Sequence, residues 1–251
     1  MLLVGGVPQS YVDLSDPTYL DFEYMRLMGD VVDCLRGDVF DAVHVGGAGC
    51  TLARYVAATR PGSRQVVFEP DAGLVRLVRE RLPVKGVSGL RIRVVDGRSG
   101  VAALGDEVDD LVVMDAFAEA SMPPDLATRE FVLDVARVLR PGGVYMLNVA
   151  DGFRLPFARR VAATVRSVFR HTLMMGDPGV LRGRRFGNLI VAGSREPLPV
   201  DELRRRAAGG AVRARLLDGG DLAAFCAGAA PLRDGEEIVA PVPPPQVFGR
   251  S

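Results

Sequence analysis

Between residues 41 and 149, short apolar segments alternate with amphipathic ones, and this alternation constrains the fold more than any other feature. The amphipathic segments carry apolar residues at helical spacing, whereas the apolar segments are short and rich in β-branched residues, as strands are. Strands that alternate with helices form a mainly parallel sheet covered on both faces, which right-handed crossovers wind in two directions. We therefore expect a doubly wound α/β fold. The five predicted strands are DAVHVGG, RQVVFEP, LRIRVVDG, DDLVVMDAF and GGVYMLNVA.

The pattern continues on both sides of this region. After residue 150, a predicted helix is followed by two strand candidates, HTLMMG and RFGNLIVAGS. The loop between them allows the two strands to pair as a hairpin, which would end the sheet in an antiparallel manner. A β-prone segment and the predicted helix YLDFEYMRLMGDVVDCL precede the alternating region, and the end of the chain is proline-rich.

These features divide the chain into three predicted parts. A β-segment and a helix occupy residues 1–40, and the α/β core occupies residues 41–195. C-terminal helices and a proline-rich tail occupy residues 196–251.

Composition argues against several classes of protein. The 31 basic and 31 acidic residues give no net charge, so no electrostatic attraction to nucleic acid or to an anionic membrane is expected. Cys34, Cys50 and Cys226 are scattered and odd in number, which favours neither a disulfide framework nor a zinc site. The N-terminal residues lack the features of a signal peptide, and no apolar run approaches the ~20 residues of a membrane helix. We therefore expect a cytoplasmic protein.

The segment VHVGGAGCTLARYV runs from a predicted strand through three glycines into a predicted helix. Such a turn places free backbone N–H groups and the positive end of a helix dipole beside a ligand. Glycine at 46, 47 and 49 lets the backbone approach that ligand without a Cβ atom in the way. A nicotinamide dinucleotide and an adenosyl sulfonium are both candidates. Leu52 disfavours the dinucleotide, whose fingerprint has glycine or alanine at that position.

Carboxylates end three of the predicted strands. Glu69 ends the second strand, where an acidic residue can accept hydrogen bonds from ribose hydroxyls, and Asp96 and Asp115 end the third and fourth. Any one of them is explained equally well as a solvated strand end or a helix cap. Because ligands of open α/β sheets bind outside the carboxyl ends of the strands, all three together with the glycine turn favour a binding site.

The ordered set of motifs resembles the polyamine aminopropyltransferases, or spermidine synthases, and the methyltransferase-fold proteins that share their core. This resemblance implies a Rossmann-like sheet of seven strands, as in class I S-adenosylmethionine-dependent methyltransferases, with a small N-terminal β-element. It covers most of the chain. The matching segments are GGVPQSYVDLSDP, VGGAGCTLARYV, VFEPD, VVDGR, MDAF, MPPDLATREF, LRPGGVYMLNV and APLRDGEEIVAPV.

The resemblance also implies roles for individual residues. Gly47 and Gly49 would line the sulfonium nucleoside, and Glu69 would hold its ribose hydroxyls. Asp96 and Gly97 would lie at the adenine, with Asp96 accepting a hydrogen bond from the exocyclic amine.

Two further residues match family positions. Gln9 matches a glutamine that reaches the cofactor from the N-terminal β-segment. Asp115 matches the first aspartate of the catalytic loop, which helps to deprotonate and orient the attacking amine. The implied partner is therefore a small-molecule amine acceptor, and homodimer formation is left open.

The sequence departs from the family pattern at two carboxylates. Ala48 stands where the family has the aspartate that holds the aminopropyl amine, and Ala118 stands where it has the second aspartate of the catalytic loop. Glu119 could replace the latter only in a shifted loop. Removing paired carboxylates removes much of the binding energy of a diamine, which carries two positive charges and must be desolvated.

The expected function is that of a spermidine-synthase-like transferase. It would move an aminopropyl or methyl group to an amine, with S-adenosylmethionine or its decarboxylated form as the cofactor. Two alternatives remain: a nucleoside-binding module without catalysis, which Ala48 and Ala118 favour, and a nicotinamide-dependent oxidoreductase, which Leu52 disfavours.

Other residues with reactive side chains are expected to be structural. His44 is interpreted as a core histidine with one hydrogen bond, and a structural role is likewise assigned to His171. Cys50 lies at a helix N-terminus, where a thiolate is stabilised, yet packing of a small residue is the favoured interpretation. The basic segment RGRRF is interpreted as a solvated hairpin tip, and Tyr24 as a packing residue that can border the substrate pocket.

Overall fold

A computed structural model describes residues 1–4, 6–47, 49–118, 121–210 and 213–244. Two sheets are present in this part of the chain, one of two strands and one of eight. The elements in chain order are β1 (Leu2–Val4), β2 (Val7–Ser10), α1 (Glu23–Cys34), β3 (Asp41–Gly46), α2 (Thr51–Thr59), β4 (Arg64–Phe68), α3 (Ala72–Arg81), β5 (Leu90–Arg93), α4 (Gly97–Ala102), β6 (Asp109–Asp115), α5 (Arg129–Val138), β7 (Leu139–Asp151), α6 (Pro156–Arg166), β8 (His171–Gly176), α7 (Pro178–Leu181), β9 (Gly187–Ser194), α8 (Val200–Gly209), β10 (Arg215–Asp218) and α9 (Gly219–Phe225).

The large sheet has the strand order β10-β8-β9-β7-β6-β3-β4-β5. Four neighbouring strand pairs of this sheet are parallel, namely β5–β4, β4–β3, β3–β6 and β6–β7, which confirms the predicted α/β sheet. The predicted hairpin of β8 and β9 is also confirmed, and β9 pairs antiparallel with β7 on its other side. The small N-terminal β-element is the antiparallel pair of β1 and β2.

The prediction of seven strands was wrong by one, because β10 adds an eighth strand antiparallel to β8. This strand lies within the part of the chain for which only helices and a tail were expected. Its four residues, RLLD, include only two apolar side chains, which are too few to establish a strand period in the sequence. It forms because the exposed edge of β8 offers backbone hydrogen-bonding partners.

Helix α5 begins later than its apolar pattern suggests. The apolar residues of the segment PDLATREFVLDVARVL lie at helical spacing and predict one helix that begins near Pro124. In the structure, residues Pro124–Leu126 form a 3-10 turn and the α-helix starts after Thr128. The Thr128 side chain accepts a hydrogen bond from the Phe131 N–H at 3.4 Å and caps the helix. A good N-cap inside an amphipathic segment therefore sets the helix start.

The sheet is buried on both faces, and β6 shows this residue by residue. Val112 and Met114 belong to one apolar cluster with residues of α5 and α6, whereas Leu111 and Val113 belong to a second cluster with residues of α1 and α2. Successive side chains of a strand point to opposite faces, so a strand between two helical layers is apolar throughout.

His44 has the structural role expected from the sequence. It is 4% exposed on β3, and its Nε2 atom lies 2.9 Å from Gln65 Oε1. Burial lowers the pKa of His44 to about 4, so the ring is neutral near pH 7.

None of the helices in the described part of the chain has the length and hydropathy that crossing a membrane requires.

Asp109 gives the fold a pH-dependent stability. It is 8% exposed, and its Oδ2 atom has no hydrogen-bond partner among the described residues. Burial, and then the nearby Asp41 carboxylate, raise the pKa of Asp109 from 3.8 to about 6. The folded-state pKa lies above the unfolded value, so the stability that this group contributes is present below about pH 4. It is lost as the pH rises through 6.

We expect Asp109→Asn to raise the free energy of unfolding at pH 8 by roughly 1–3 kcal/mol. The difference should vanish below about pH 4, where both side chains are neutral. Denaturant titrations across this pH range measure it. Asp110→Asn is the matched control, because Asp110 pairs with Arg140 at 2.7 Å and its loss should not stabilise the protein. Equal behaviour of the two variants would contradict the assignment.

Candidate functional site

The glycine turn after β3 requires glycine for steric reasons. Gly46 and Gly47 have φ values of +76° and +133°, which L side chains rarely adopt. A Cβ atom on Gly46 would lie 2.6 Å from the Ala116 Cα atom, so the turn packs directly against the segment that follows β6. Ala48, the first departure from the family pattern, lies outside the described residues.

The third glycine of the turn packs against the N-terminal segment. The Gly49 N–H donates to Ser10 Oγ at 3.1 Å, and a Cβ atom on Gly49 would lie 2.8 Å from Val12 Cγ2. The Thr51 hydroxyl also donates to the Tyr11 carbonyl, at 2.9 Å. Gly49 is not among the described residues that line the cavity, in contrast to the role expected for it.

A cavity of about 1020 Å³ opens at the carboxyl ends of the central strands. Its position agrees with the expected ligand crevice of an open α/β sheet. The contacts that tether β2 to the glycine turn also bring Gln9 into the wall. The predicted site residues that line the cavity together are Gln9, Gly47, Glu69, Asp96, Gly97 and Asp115.

The described part of the cavity wall is predominantly acidic. It carries seven acidic side chains and two arginines, Arg98 and Arg185. Such an excess of carboxylates favours a cationic ligand over an anionic one. The acidic residues are Glu23, Glu69, Asp71, Asp96, Asp115, Asp125 and Asp177.

Glu69 and Asp96 differ in their electrostatic environments. Glu69 follows β4 and accepts from the Asp71 N–H at 3.0 Å, and burial raises the pKa of its carboxyl group. Asp96 precedes α4 and accepts from the Ser99 N–H at 2.8 Å, which lowers its pKa. Asp96 therefore both caps a helix and faces the cavity, so the two interpretations of this residue are compatible.

Gly97 allows the backbone beside Asp96 to lie against the sheet. A Cβ atom at this position would be 2.2 Å from Val45 Cγ1, far inside van der Waals contact. Only glycine therefore permits this approach.

Asp115 lies at the end of β6 in a network of hydrogen bonds. Asn148 Nδ2 donates to Asp115 Oδ1 at 2.9 Å, and Asn188 Nδ2 donates to Asn148 Oδ1 at 2.9 Å. The Tyr24 hydroxyl donates to Asp115 Oδ2 over a longer distance, 3.4 Å. Burial raises the pKa of Asp115 to about 6, although the Asn148 and Tyr24 hydrogen bonds lower it. This places the carboxyl group in the range suited to a general base.

Asn148 and Asn188 belong to no motif that predicts a functional residue. Asn148 is 1% exposed, and it interrupts the apolar strand sequence VYMLNVA. A polar residue at a fully buried strand position is a detectable signal, because it must find partners inside the protein. Tyr24 does border the cavity, as the sequence analysis allowed.

The basic segment RGRRF is more closely involved in the cavity than a solvated tip would be. Arg185 and Phe186 line the wall, and Arg185 Nη2 lies 3.2 Å from Asp177 Oδ2.

Cys50 is 2% exposed, and burial raises the pKa of its thiol to about 11. The thiol is therefore protonated near neutral pH, which supports the packing interpretation.

The second departure from the family pattern is also visible at the cavity. Ala118 is exposed on the wall, and its N–H and carbonyl groups pair with those of Ser121 at 2.9 Å or less. Glu119, the residue considered as a replacement carboxylate, lies outside the described residues.

Comparison with known proteins places this site in a family, although no family model matches the chain. A polyamine aminopropyltransferase of Nitrosomonas europaea is 29% identical over 157 residues, which are 59% of this chain and 47% of the relative. The chain spans about half of the length of the curated relatives that it matches.

Two solved structures cover more of the chain. Human methyltransferase-like protein 13, solved in complex with SAH, is similar to this chain with a TM-score of 0.61 and 20% sequence identity. The match includes 87% of this chain and 98% of that one. At this level of identity, the similarity shows the fold alone. The crystal structure of a probable spermidine synthase from Corynebacterium glutamicum has a TM-score of 0.86 and is 34% identical. The match includes 94% of this chain and 89% of that one. On this extent of similarity, the chain belongs to the spermidine synthase family, the polyamine aminopropyltransferases.

Proposed function

We propose that the protein transfers an aminopropyl or methyl group from an adenosyl sulfonium cofactor to an amine acceptor. The observation that carries this proposal is the partly buried carboxylate of Asp115, which lines the same cavity as the residues expected to hold the nucleoside. Membership of the spermidine synthase family and the predominantly acidic wall also support it.

The residues of the cavity fit an adenosyl nucleoside. The glycine turn at Gly46 and Gly47 gives the backbone room for a ligand, and Glu69 faces the cavity at the end of the neighbouring strand. In the proposed complex, Glu69 accepts hydrogen bonds from the ribose, and Asp96 beside Gly97 accepts from the adenine amine. Gln9 reaches the cofactor from β2.

When bound, the sulfonium supplies an activated carbon whose bond to sulfur breaks as the acceptor nitrogen forms its new bond. The protein's own task is to align the amine, exclude water and remove one proton from nitrogen. Asp115 accepts that proton. Asn148 orients the carboxylate through Oδ1, and Asn188 in turn holds the Asn148 amide.

The acidic wall also suits an amine acceptor. An alkylammonium group must lose water to enter the cavity, and this costs free energy unless carboxylates compensate for it. Asp115 provides one carboxylate near the reaction centre. Glu23 and Asp177 lie elsewhere on the same wall, although Arg185 pairs with both of them.

Cofactor choice follows from Ala48. Because the chain lacks an aspartate there to hold an aminopropyl amine and repel a methionine carboxylate, we expect little preference for decarboxylated S-adenosylmethionine. The dissociation constants of the two forms should differ by less than tenfold in calorimetry. A hundredfold preference for the decarboxylated form, about 2.7 kcal/mol, would contradict this prediction.

The proposed function is tested by label transfer. The protein is incubated with S-adenosylmethionine or its decarboxylated form, labelled in the transferred group, and with a panel of amines that includes putrescine and spermidine. Labelled amine product supports the proposal and identifies the transferred group. If calorimetry shows nucleoside binding but no amine accepts label, the protein is a binding module that lost catalysis, as Ala48 and Ala118 would allow.

A further inference from the structure

The segment from residue 230 to 243, here called the C-terminal strap, is anchored against two helices of the core. Leu232 is fully buried, and its N–H donates to the Thr164 hydroxyl of α6 at 2.8 Å. The Leu232 carbonyl accepts from the Arg129 N–H, at the start of α5, also at 2.8 Å. The strap therefore has a fixed anchor on α5 and α6.

Asp234 extends from this anchor to Arg98. Arg98 Nη1 donates to Asp234 Oδ1 at 2.9 Å, and its Nη2 donates to Oδ2, so the ion pair is bidentate. Arg98 Nη1 also donates to the Asp125 carbonyl at 3.0 Å. Such a planar pair fixes orientation as well as distance.

Arg98 and Asp125, which this network joins, both line the cavity near Asp96 and Gly97. Arg98 follows Asp96 and Gly97 directly in the chain. The strap itself contributes Pro243 to that wall. Arg98 therefore joins two wall segments that are distant in sequence, its own segment at Asp96 and Gly97 and the segment around Asp125, and the Asp234 carboxylate holds the Arg98 guanidinium in this position.

We infer that Asp234 is a positioning residue for nucleoside binding, acting through Arg98 on the cavity segment at Asp96 and Gly97. This inference rests on the proposed function, which assigns the adenine to that segment. It gives a chemical role to the motif APLRDGEEIVAPV, whose sequence alone indicates only a family resemblance.

Because the Arg98–Asp234 ion pair is partly exposed, its effect on ligand binding can be measured separately from its effect on folding stability. The Arg98 and Asp234 side chains are 30% and 42% exposed, and ion pairs that water reaches contribute little to folding. Asp234→Asn should therefore leave the protein folded. Its effect should appear in ligand affinity, because a loosened Arg98 no longer holds the adjacent wall segment in one geometry.

The strap also provides a matched control. Glu236 pairs with Arg160 of α6, and these side chains are 37% and 31% exposed, close to the values for the first pair. Neither Glu236 nor Arg160 belongs to the described cavity wall. Glu236→Gln therefore removes a comparably exposed ion pair of the same strap without touching the site.

The experiment measures methylthioadenosine binding by calorimetry in the full chain, together with thermal unfolding. We expect Asp234→Asn to weaken binding about three- to tenfold, less than the loss of a direct charge-assisted hydrogen bond to the ligand, because Asp234 acts only through Arg98. Asp234→Glu should restore part of this loss, Glu236→Gln should bind within about twofold of wild type, and both Asn and Gln variants should unfold at similar temperatures. If transfer activity is found, the cofactor KM should rise in Asp234→Asn with kcat little changed.

Two results would overturn the inference while leaving the proposed function intact. Asp234→Asn could bind as tightly as wild type, or Glu236→Gln could weaken binding as much as Asp234→Asn, which would mean that the strap acts only through general stability. Failure of the wild-type protein to bind the nucleoside would instead refute the proposed function.

Discussion

Asp115→Asn is expected to lower the rate of group transfer by about 10²–10⁴-fold, as the loss of a general base typically does. The substitution keeps the shape of the side chain and leaves an oxygen that can accept from Asn148, but it removes the group that takes the amine proton. Nucleoside affinity should change little, because Glu69 and Asp96 carry the proposed nucleoside contacts. Label transfer measures the rate, and calorimetry measures the affinity.

The pKa of Asp115 adds two signatures to this prediction. Because the base acts when ionised, wild-type kcat/KM should rise as the pH approaches about 6 and then level off with respect to this group. The folded-state pKa lies above its 3.8 reference, so the stability contributed by this carboxyl group is present at low pH and lost as the pH rises through 6. Asp115→Asn should therefore unfold at a higher temperature than wild type at pH 8.

Asp110→Asn is the matched control, since Asp110 lies at the opposite end of the same strand and pairs with Arg140. It should retain transfer activity and should not gain thermal stability. Transfer that survives in Asp115→Asn would exclude Asp115 as the base. A variant that is both inactive and less stable than wild type would show that the carboxylate serves the fold.

Glu69→Ala is expected to weaken nucleoside binding by about ten- to a hundredfold. The proposed ribose hydrogen bonds end on a charged acceptor, and losing such a bond costs about 1.5–3 kcal/mol. Burial raises the pKa of Glu69, so the affinity of the wild-type protein should also fall when acid protonates this group. Calorimetry with methylthioadenosine at pH 8 and at lower pH measures both effects.

Glu80→Ala provides the comparison for Glu69→Ala, because Glu80 is an exposed glutamate of α3, the helix that follows Glu69. It should bind the nucleoside like wild type. If a folded Glu69→Ala protein bound the nucleoside as tightly as wild type, Glu69 would not be the ribose contact, and the case for an adenosyl ligand would be weaker.

The core of the fold could be predicted because its signals are local. Each central strand is a short apolar segment that ends at glycine or a carboxylate, and the ends of parallel strands meet at one edge of the sheet. For this reason the sequence predicts that Glu69, Asp96 and Asp115 lie in one crevice. Strand β10 could not be predicted in the same way, because its four residues become a strand only by pairing with β8.

The sequence by itself determined the doubly wound α/β class, the glycine turn at residues 46–49 and the family to which the motifs belong. These depend on periodicity, residue type and order, which are properties of neighbouring positions. The tertiary structure alone decided what surrounds Asp115, since Asn148 of β7 donates to it and Asn188 of β9 donates in turn to Asn148. It likewise decided that Asp234 fastens Arg98 across 136 positions of the chain. Packing creates such contacts between residues far apart in sequence, and no local pattern specifies which partners will meet.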